Sequence, residues 1–326
     1  MTETVLDIRN LSLQFNAQTG PVHALRDISM TVPKGEIVGV VGESGSGKST
    51  LALAILRLMS QNAVITSGSI GFEGQDLLKL PDDEMQVLRG TRIAMVFQDP
   101  MTSLNPVRSI GKHMSDIQYR DRSLSSAQKR EKSAAALKRV GIPDAEAQLD
   151  RYPFQFSGGM RQRIAIAMGL LQKPVLLIAD EVTTALDVTL EAQILHLLRE
   201  LRSEIDGSIL FISHNLGAIA EICDRVVVLY AGEVVEQGLI ADIFAAPRHP
   251  YTRALIACDP ARIDIATRQL PVIAGDVPNL KVKPAGCVFE PRCTVALARC
   301  KSERPPDVTC GADHLARCHL LAETRP

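Results

Sequence analysis

A short segment near the start of the chain carries the residue types that proteins use to hold a phosphate chain. It runs Gly42-Glu43-Ser44-Gly45-Ser46-Gly47-Lys48-Ser49-Thr50. Its glycines let the backbone approach phosphate oxygens and point successive N–H groups at them. Lys48 can reach the β- and γ-phosphates, and the Ser49 hydroxyl can ligate Mg²⁺. The segment therefore predicts a nucleotide site. The residues expected to form it are Gly42, Ser44, Gly45, Gly47, Lys48, Ser49 and Thr50.

The sequence on either side of this segment predicts the elements that position it. Residues 36–41 form a continuous apolar run, which is typical of a buried parallel strand. Residues 51–56 are good helix formers without a breaker. The segment is therefore expected to be a strand-to-helix turn, with the positive end of the helix facing the phosphates.

Two adjacent carboxylates follow another apolar run, at residues 175–179. Asp180 can hold a metal ion or its water shell, and Glu181 can take a proton from an attacking water. The alternative is a buried strand that ends in two solvated acids. A third apolar run, residues 208–213, ends before His214, and this order of elements favours the catalytic interpretation over a structural one.

A second glycine-containing segment of the phosphate-binding kind lies far downstream, at Ser157-Gly158-Gly159-Met160-Arg161-Gln162. One nucleotide needs only one such cradle. The second segment is most simply explained if it serves a nucleotide that another subunit holds.

The ordered set of motifs resembles the ATP-binding subunit of an ABC transporter over roughly residues 5–240. The resemblance implies ATP as the nucleotide and assigns further roles. It makes Phe15 the aromatic residue that stacks on adenine and Gln98 a residue near the metal and the attacking water. It makes His214 the residue that touches the γ-phosphate. The implied catalytic residues are Glu181, His214 and Gln98. The implied Mg²⁺ ligands are Ser49, Gln98 and Asp180. The remaining implied nucleotide contacts are Ser157, Gly158, Gly159 and Asp187.

The resemblance also implies a mechanism that needs two subunits. Two such domains face each other head to tail, so that the phosphate-binding loop of one (the P-loop, residues 42–50) and the signature segment of the other (residues 157–162) hold each ATP. The two domains would close on ATP and open after hydrolysis. Gln98 and residues 101–106 would pass this movement to the partner that moves. Three positions depart from the family pattern, since Phe154, Val182 and Asn215 replace a histidine, a proline and an aspartate. None replaces a group that contacts phosphate or metal, so an active site is expected.

The composition agrees with a large α/β protein. The chain has 326 residues, 46% of them hydrophobic, which is enough for one large domain and a smaller one. Its formal net charge of −1 argues against a nucleic-acid partner bound through a basic patch. The sequence has neither an apolar run long enough to cross a bilayer nor the features of a signal peptide at its N-terminus. The expected location is the cytoplasmic face of the inner membrane, as a peripheral subunit.

Pattern along the chain predicts three parts within residues 1–240, the expected nucleotide-binding domain. Short-period alternation over residues 6–32 predicts an antiparallel β-subdomain beside a P-loop core of the RecA-like type. The stretch of about 100–165 is expected to be a helical subdomain, with residues 126–137 its clearest helix. Residues 225–236 predict a hairpin that closes the domain.

Residues 241–326 are expected to form a small cysteine-rich extension. His249-Pro250-Tyr251-Thr252-Arg253-Ala254-Leu255 resembles the C-terminal domain of dipeptide and oligopeptide importer ATPases. Crowded cysteines in a reducing compartment favour metal ligation over disulfides. The resemblance implies a [4Fe-4S] cluster, although four thiolates would suit Zn²⁺ equally well. Cys310 is left out of the ligand set. The implied ligands are Cys287, Cys293, Cys300 and Cys318.

The resulting hypothesis is an ATPase subunit that drives import of dipeptides or oligopeptides. The implied partners are a paralogous ATPase subunit, two permease subunits and an extracytoplasmic substrate-binding protein. Nickel chelates, glutathione and oligosaccharides are cargoes of similar importers and remain alternatives. A soluble ABC ATPase acting on DNA or ribosomes is disfavoured by the absence of a coiled-coil insertion, a tandem cassette and a basic arm. A redox sensor that merely binds ATP is disfavoured by the intact Glu181 and His214.

Overall fold

The structure is a computed structural model that describes residues 3–99, 104–184, 186–205, 207–259 and 271–322. Residues 101–106, which are expected to pass the closing and opening movement to the partner, therefore lie partly outside the described residues. The chain divides into two compact units. The first contains Met1–Leu80 and Phe211–Pro326, and the second contains Pro81–Leu210.

An antiparallel sheet of four strands occupies the N-terminal part of the first unit, in the order β2-β1-β4-β5. The strands are β1 (Thr4–Ala17), β2 (Gly20–Pro33), β4 (Ala63–Phe72) and β5 (Gln75–Asp76). Ile8, Leu11 and Leu13 of β1 are buried while their neighbours are partly or fully exposed, as the short-period pattern predicts. The predicted antiparallel β-subdomain is thus present.

A second set of strands in the first unit surrounds the P-loop strand β3 (Ile37–Val41), which is buried throughout. It pairs in parallel with β9 (Arg225–Tyr230), which forms a hairpin with β10 (Glu233–Leu239). Two short strands near the C-terminus, β11 (Asp307–Gly311) and β12 (His314–Arg317), continue this sheet by pairing β12 with β10. The predicted hairpin at residues 225–236 is confirmed.

The described residues of the first unit include five α-helices. Leucine and alanine fill most of the buried positions of the helix after the P-loop, and proline occupies the first helical position of the one that follows His249. The helices are α1 (Lys48–Ile55), α8 (Leu216–Ile222), α9 (Ile240–Ala245), α10 (Pro250–Ala257) and α11 (His319–Ala322).

The second unit combines a parallel strand pair with helices. Strand β6 (Ile93–Val96) pairs in parallel with β7 (Leu176–Asp180), and the boundary between the units falls within β8 (Ser208–Ser213). The helices are α2 (Asp82–Leu88), α3 (Ile110–Ile117), α4 (Ser126–Arg139), α5 (Ala145–Gln148), α6 (Gly158–Leu170) and α7 (Val188–Ile205).

Helix α4 shows why the helical segment forms where the sequence predicts it. Ser125 and Gln128 make a capping box, in which each side chain accepts a hydrogen bond from the other residue's backbone N–H. Lys138 and Arg139 lie in the last turn, where positive charge is favourable. Within the described parts of the chain, no helix is long and apolar enough to cross a membrane.

Candidate nucleotide site

The P-loop is a strand-to-helix turn, as predicted. It leaves the end of β3 and enters α1, whose first residue is Lys48. Gly45 and Gly47 have φ values of 78° and 102°, which favour glycine. A Cβ atom on Gly42 would lie 2.1 Å from the Leu229 carbonyl oxygen, so no other residue fits there. The glycines at these positions are therefore required by the path of the backbone.

Lys48 is held over the loop that it follows. Its side chain is buried, and Nζ donates hydrogen bonds to the carbonyl oxygens of Gly42 at 2.8 Å and Glu43 at 3.2 Å. The positive charge thus lies beside the backbone amides of the loop, where a phosphate chain would bind. Ser44 and Gly45 are exposed, while Ser49 and Thr50 are partly exposed in the first turn of α1.

Two of the predicted catalytic residues meet in the second unit. Because β6 and β7 are parallel neighbours, their carboxyl ends lie at the same edge. Gln98 follows β6, Asp180 ends β7, and Glu181 comes next. The Gln98 Nε2 atom donates a hydrogen bond of 2.8 Å to Glu181 Oε2, which also accepts a bond of 3.3 Å from the Thr184 hydroxyl. An amide and a carboxylate are thus placed together at the strand ends, as the motif order predicts.

The carboxylates of Asp180 and Glu181 have different surroundings. Asp180 is 5% exposed, whereas Glu181 is partly exposed. The backbone of Glu181 has a φ of 48°, a left-handed conformation that costs a non-glycine residue free energy. The chain turns sharply at this residue, immediately after the buried strand.

The signature segment forms the start of helix α6. Ser157 is the N-cap, and its hydroxyl accepts a hydrogen bond from the Met160 N–H. Gly158 is exposed, and a Cβ atom there would meet nothing within 4 Å. Gly159 is buried, and its Cβ would lie 3.0 Å from the Leu190 side chain. Gly158 is therefore the glycine of this pair with open space beside it.

Asp187 and Asn215 are both helix-capping residues. The Asp187 carboxylate accepts a hydrogen bond of 2.9 Å from the Leu190 N–H at the start of α7. The Asn215 side chain accepts bonds from the Gly217 and Ala218 N–H groups at the start of α8. Asparagine and aspartate are equally good N-caps, so the departure from the family pattern at position 215 preserves the cap.

The remaining predicted residues belong to the first unit. His214 is exposed directly after β8, and Phe15 lies partly exposed on β1, opposite Val22 of β2. Of the other departures from the family pattern, Val182 is buried and Phe154 is exposed, stacked on Tyr152 with ring centroids 5.8 Å apart. The burial of Val182 and the stacking of Phe154 on Tyr152 could not be predicted from the spacing of the motifs.

Sequence reasoning missed one contact of the P-loop. The carboxylate of Glu43, a variable position of the motif, forms an ion pair of 2.6 Å with Arg292. No local signal marks such a pair, because 249 positions separate the two residues. The burial of Arg292 is itself a product of the tertiary structure, so the sequence carries no signal for this contact.

Family models match two parts of the chain. Residues 25–184 match the model described as ABC transporter, and residues 235–300 match the one described as oligopeptide/dipeptide transporter, C-terminal region. The probable D,D-dipeptide transport ATP-binding protein DdpD of Escherichia coli K12 is 45% identical, over 98% of this chain and 96% of that protein. The oligopeptide transport ATP-binding protein OppD of Bacillus subtilis 168 is 42% identical, over 99% of this chain and 90% of that protein.

The chain belongs to the ATP-binding subunits of oligopeptide/dipeptide ABC transporters.

Solved structures of ABC proteins share the fold. A dimeric ATP-binding cassette in a post-hydrolysis state, bound to ADP and phosphate, is 26% identical with a TM-score of 0.65 and covers 72% of this chain and 98% of that one. A component of an ABC transporter complex from Clostridium perfringens is 30% identical with a TM-score of 0.64, over 75% of this chain and 92% of that one. Like other ATP-binding subunits of this family, the chain hydrolyses ATP to drive transport, and the family implies membrane permeases and a substrate-binding protein as partners.

The C-terminal part of this ABC subunit brings together the cysteines that the sequence singled out. Cys287, Cys293, Cys300 and Cys318 line one small cavity, and Cys310 is not among its lining residues. Burial, with the proximity of the other thiols, raises the pKa of Cys287 to about 12. Burial also raises the pKa of Cys293 and of Cys318. The thiols of Cys287, Cys293 and Cys318 are therefore protonated at neutral pH unless a cation displaces the protons.

The four cysteines that are predicted as ligands are not arranged as a metal centre in the described residues. In the described residues, no group of three or more His, Cys, Asp or Glu side chains is arranged to hold a metal ion. The comparisons do not support an iron–sulfur cluster either. What the structure does show is the shared cavity, whose thiol donors have the chemistry of a zinc or iron–sulfur ligand set.

Proposed function

We propose that this chain is the ATPase of a dipeptide or oligopeptide importer and works at the cytoplasmic face of the inner membrane. Support comes from relatives across almost the whole chain that are named for dipeptide and oligopeptide transport. The match of residues 235–300 to the oligopeptide/dipeptide C-terminal region favours the same cargo class. We take residues 1–240 as the nucleotide-binding domain, with a helical subdomain at about 100–165, and 241–326 as the extension.

The hydrogen bond between Gln98 and Glu181 is the observation that carries the proposed chemistry. In this proposal Glu181 takes a proton from the attacking water, and Gln98 orients that water beside it. Lys48 binds the β- and γ-phosphates from its place over the loop, and His214 touches the γ-phosphate. Phe15 stacks on the adenine.

The proposed Mg²⁺ ligands are Ser49, Asp180 and Gln98. A hydroxyl, a carboxylate and an amide oxygen are hard oxygen donors, which fits the preference of Mg²⁺. When bound, the ion neutralises charge on the phosphate oxygens. The protein's own part is to hold these three side chains and Lys48 so that the phosphate chain keeps one orientation.

A second subunit completes the proposed site. Ser157 and Gly158, at the N-terminus of α6, are proposed to face the γ-phosphate of an ATP held by the P-loop of a paralogous subunit. The exposure of both residues supports this assignment. Gly159 lies behind them, and Asp187 caps the neighbouring helix α7. The proposed assembly is a head-to-tail heterodimer beneath two permeases.

The test of this function uses the assembled transporter in proteoliposomes with its binding protein. Dipeptides and oligopeptides should stimulate ATP hydrolysis and accumulate inside, and Lys48→Ala should abolish both effects. Stimulation only by a nickel chelate, glutathione or an oligosaccharide would overturn the cargo. Hydrolysis unaffected by Lys48→Ala would overturn the assignment of the P-loop.

For the cysteine cavity we propose a structural [4Fe-4S] cluster held by Cys287, Cys293, Cys300 and Cys318. A small extension with little core of its own gains stability from a cross-link of this kind. Anaerobically purified protein should be brown and contain iron and sulfide. Both should disappear in Cys318→Ser and persist in Cys310→Ser. Colourless protein with one zinc per chain would replace the cluster with a zinc site on the same ligands.

A further inference from the structure

Glu43 joins the P-loop to residues that lie far downstream in the sequence. Its carboxylate oxygens accept hydrogen bonds from both terminal nitrogens of Arg292, at 2.6 Å and 3.0 Å. Its backbone N–H donates a bond of 3.0 Å to the Tyr251 hydroxyl. Both partners belong to the part of the chain after β10. The side chain and the main chain of this one P-loop residue are therefore held from outside the loop.

The Arg292 guanidinium is buried, and all of its N–H donors are used in hydrogen bonds to Glu43 and its surroundings. Its side chain is 4% exposed. Besides its two bonds to Glu43, it donates to the carbonyl oxygens of Ile273 and Ala274 and to the Tyr230 hydroxyl. These bonds use the five N–H donors of a guanidinium. A lysine has neither the planar fork nor enough donors to replace it.

Tyr251 is fixed just as firmly. It lies in α10, and its own N–H donates to the Nδ1 atom of His249, the N-cap of that helix. The buried Glu236 carboxylate accepts the backbone N–H groups of Arg248 and His249. The Tyr251 ring packs against Tyr230, with centroids 4.5 Å apart. These contacts fix the position of the Tyr251 hydroxyl, which accepts the hydrogen bond from the P-loop.

These contacts also affect the position of Lys48, because Glu43 is bonded both to Tyr251 and Arg292 and to Lys48. The Glu43 carbonyl accepts hydrogen bonds from Lys48 Nζ at 3.2 Å and from the Ser46 N–H at 3.1 Å. The N–H of Glu43 is held by Tyr251 and its side chain by Arg292. Movement of Glu43 would therefore change both the shape of the loop and the position of the ammonium group.

We propose that Arg292 and Tyr251 are positioning residues for nucleotide binding, through which the C-terminal extension sets the conformation of the P-loop. This inference rests on the proposed role of Lys48 and the P-loop. Neither residue needs to touch the nucleotide. Their effect is to keep the loop amides and Lys48 in the arrangement that a phosphate chain requires, so that binding does not have to order them first.

The test measures affinity for ATP with the full chain by titration calorimetry and, in the assembled transporter, kcat and KM for ATP. Arg292→Gln leaves a partly buried carboxylate without its cation and should weaken ATP binding by about tenfold or more. KM should rise accordingly while kcat at saturating ATP changes little. Arg292→Lys should restore part of the affinity, since it returns the charge without the fork.

Tyr251→Phe is the variant that preserves the fold, because it keeps the ring and removes only the hydroxyl. It should raise KM by about threefold to tenfold while the protein stays folded, with only a small fall in melting temperature because the Glu43 N–H loses its acceptor. Glu43→Gln combined with Arg292→Gln should bind ATP no more weakly than either single variant, since both remove the same pair.

Arg317→Gln is the matched control. Like Arg292, Arg317 is buried, precedes a cysteine of the same cavity and forms a bidentate pair, here with Asp307. It should leave KM for ATP unchanged. Equal weakening in Arg317→Gln, or wild-type affinity in both Arg292→Gln and Tyr251→Phe, would overturn the inference. Loss of binding in Lys48→Ala with wild-type affinity in those two would show that the P-loop function stands and the inference fails.

Discussion

At the scale of single residues, the chemistry depends on where a carboxylate can accept a proton. Glu181 is partly exposed and already bonded to the Gln98 amide, whereas Asp180 is buried at the strand end. Their surroundings match the two different roles that we propose for these adjacent acids. Exposure suits the residue that meets a water molecule, and burial suits one that holds a metal ion.

Glu181→Gln tests this division. The variant keeps the size and polarity of the side chain but removes the base, so ATP hydrolysis in the assembled complex should fall by about a hundred- to ten-thousand-fold. ATP binding should survive and should trap a closed complex. Glu200→Gln, which changes an exposed glutamate on α7, is the control and should hydrolyse ATP normally. Near-normal turnover by Glu181→Gln would remove that residue from its role.

His249 provides a test by pH. Burial lowers its pKa from 6.5 to about 3, so the folded protein keeps this ring neutral while the unfolded chain takes up a proton. The free energy of unfolding should therefore fall as pH decreases below about 6.5, by up to about 1.4 kcal/mol per pH unit, until pH approaches 3. His249→Asn keeps an N-cap acceptor that does not titrate. Urea unfolding between pH 7 and 4 should show a shallower pH dependence for this variant.

Ser109→Asn, which changes another helix N-cap to asparagine without removing a titratable group, should retain the wild-type dependence of the unfolding free energy on pH. If His249→Asn and the wild type have parallel profiles, the buried ring is protonated in the folded state and the contact with the Tyr251 N–H has been misjudged.

At the scale of elements, close backbone packing in the C-terminal extension leaves no room at one glycine. A Cβ atom on Gly286 would lie 2.1 Å from the Cys300 carbonyl oxygen, and that oxygen accepts the Cys287 N–H. Gly286→Ala should therefore lower the free energy of unfolding by about 3 kcal/mol. In Gly311→Ala the new methyl group meets His314 Cβ at an ordinary 3.5 Å, and the change should be within about 0.5 kcal/mol. Urea unfolding of the two variants checks both values.

The elements also show how far sequence alone could go. The P-loop, the buried strand β7 and helix α4 were predicted because a local pattern dictates each of them. The strands β11 and β12 were not, since their 5 and 4 residues lack clean alternation and pair only because β10 offers an edge. The contact between Glu43 and Arg292 was missed for the same reason, because it depends on tertiary structure.

At the scale of the whole molecule, the proposed site is shared between two subunits. A substitution at Gly158 tests this arrangement. Gly158→Asp places a carboxylate in open space at the N-terminus of α6, where it should repel the γ-phosphate bound to the partner subunit. Hydrolysis at the opposite site should be blocked, while ATP binding at the chain's own P-loop should be unchanged. Gly159→Asp is a poorer probe because its side chain would meet Leu190.

Site-specific hydrolysis can be followed in a heterodimer in which only one P-loop is intact. If Gly158→Asp abolishes binding at the chain's own P-loop and spares the opposite one, the head-to-tail arrangement is wrong. Gly158→Ala, which adds a methyl group without charge, should retain most of the activity and separates electrostatic repulsion from simple bulk.

The division of the first unit into two distant segments has a consequence for biosynthesis. A ribosome adding about 5–20 residues per second needs roughly 12–50 s to pass from Glu43 to Arg292, since 249 positions separate them. The contiguous second unit, Pro81–Leu210, emerges complete within that interval. A nascent chain therefore carries its P-loop for most of its synthesis without the residues that hold it. Competence to bind ATP should arrive late in translation, when the subunit is nearly ready to meet its partners.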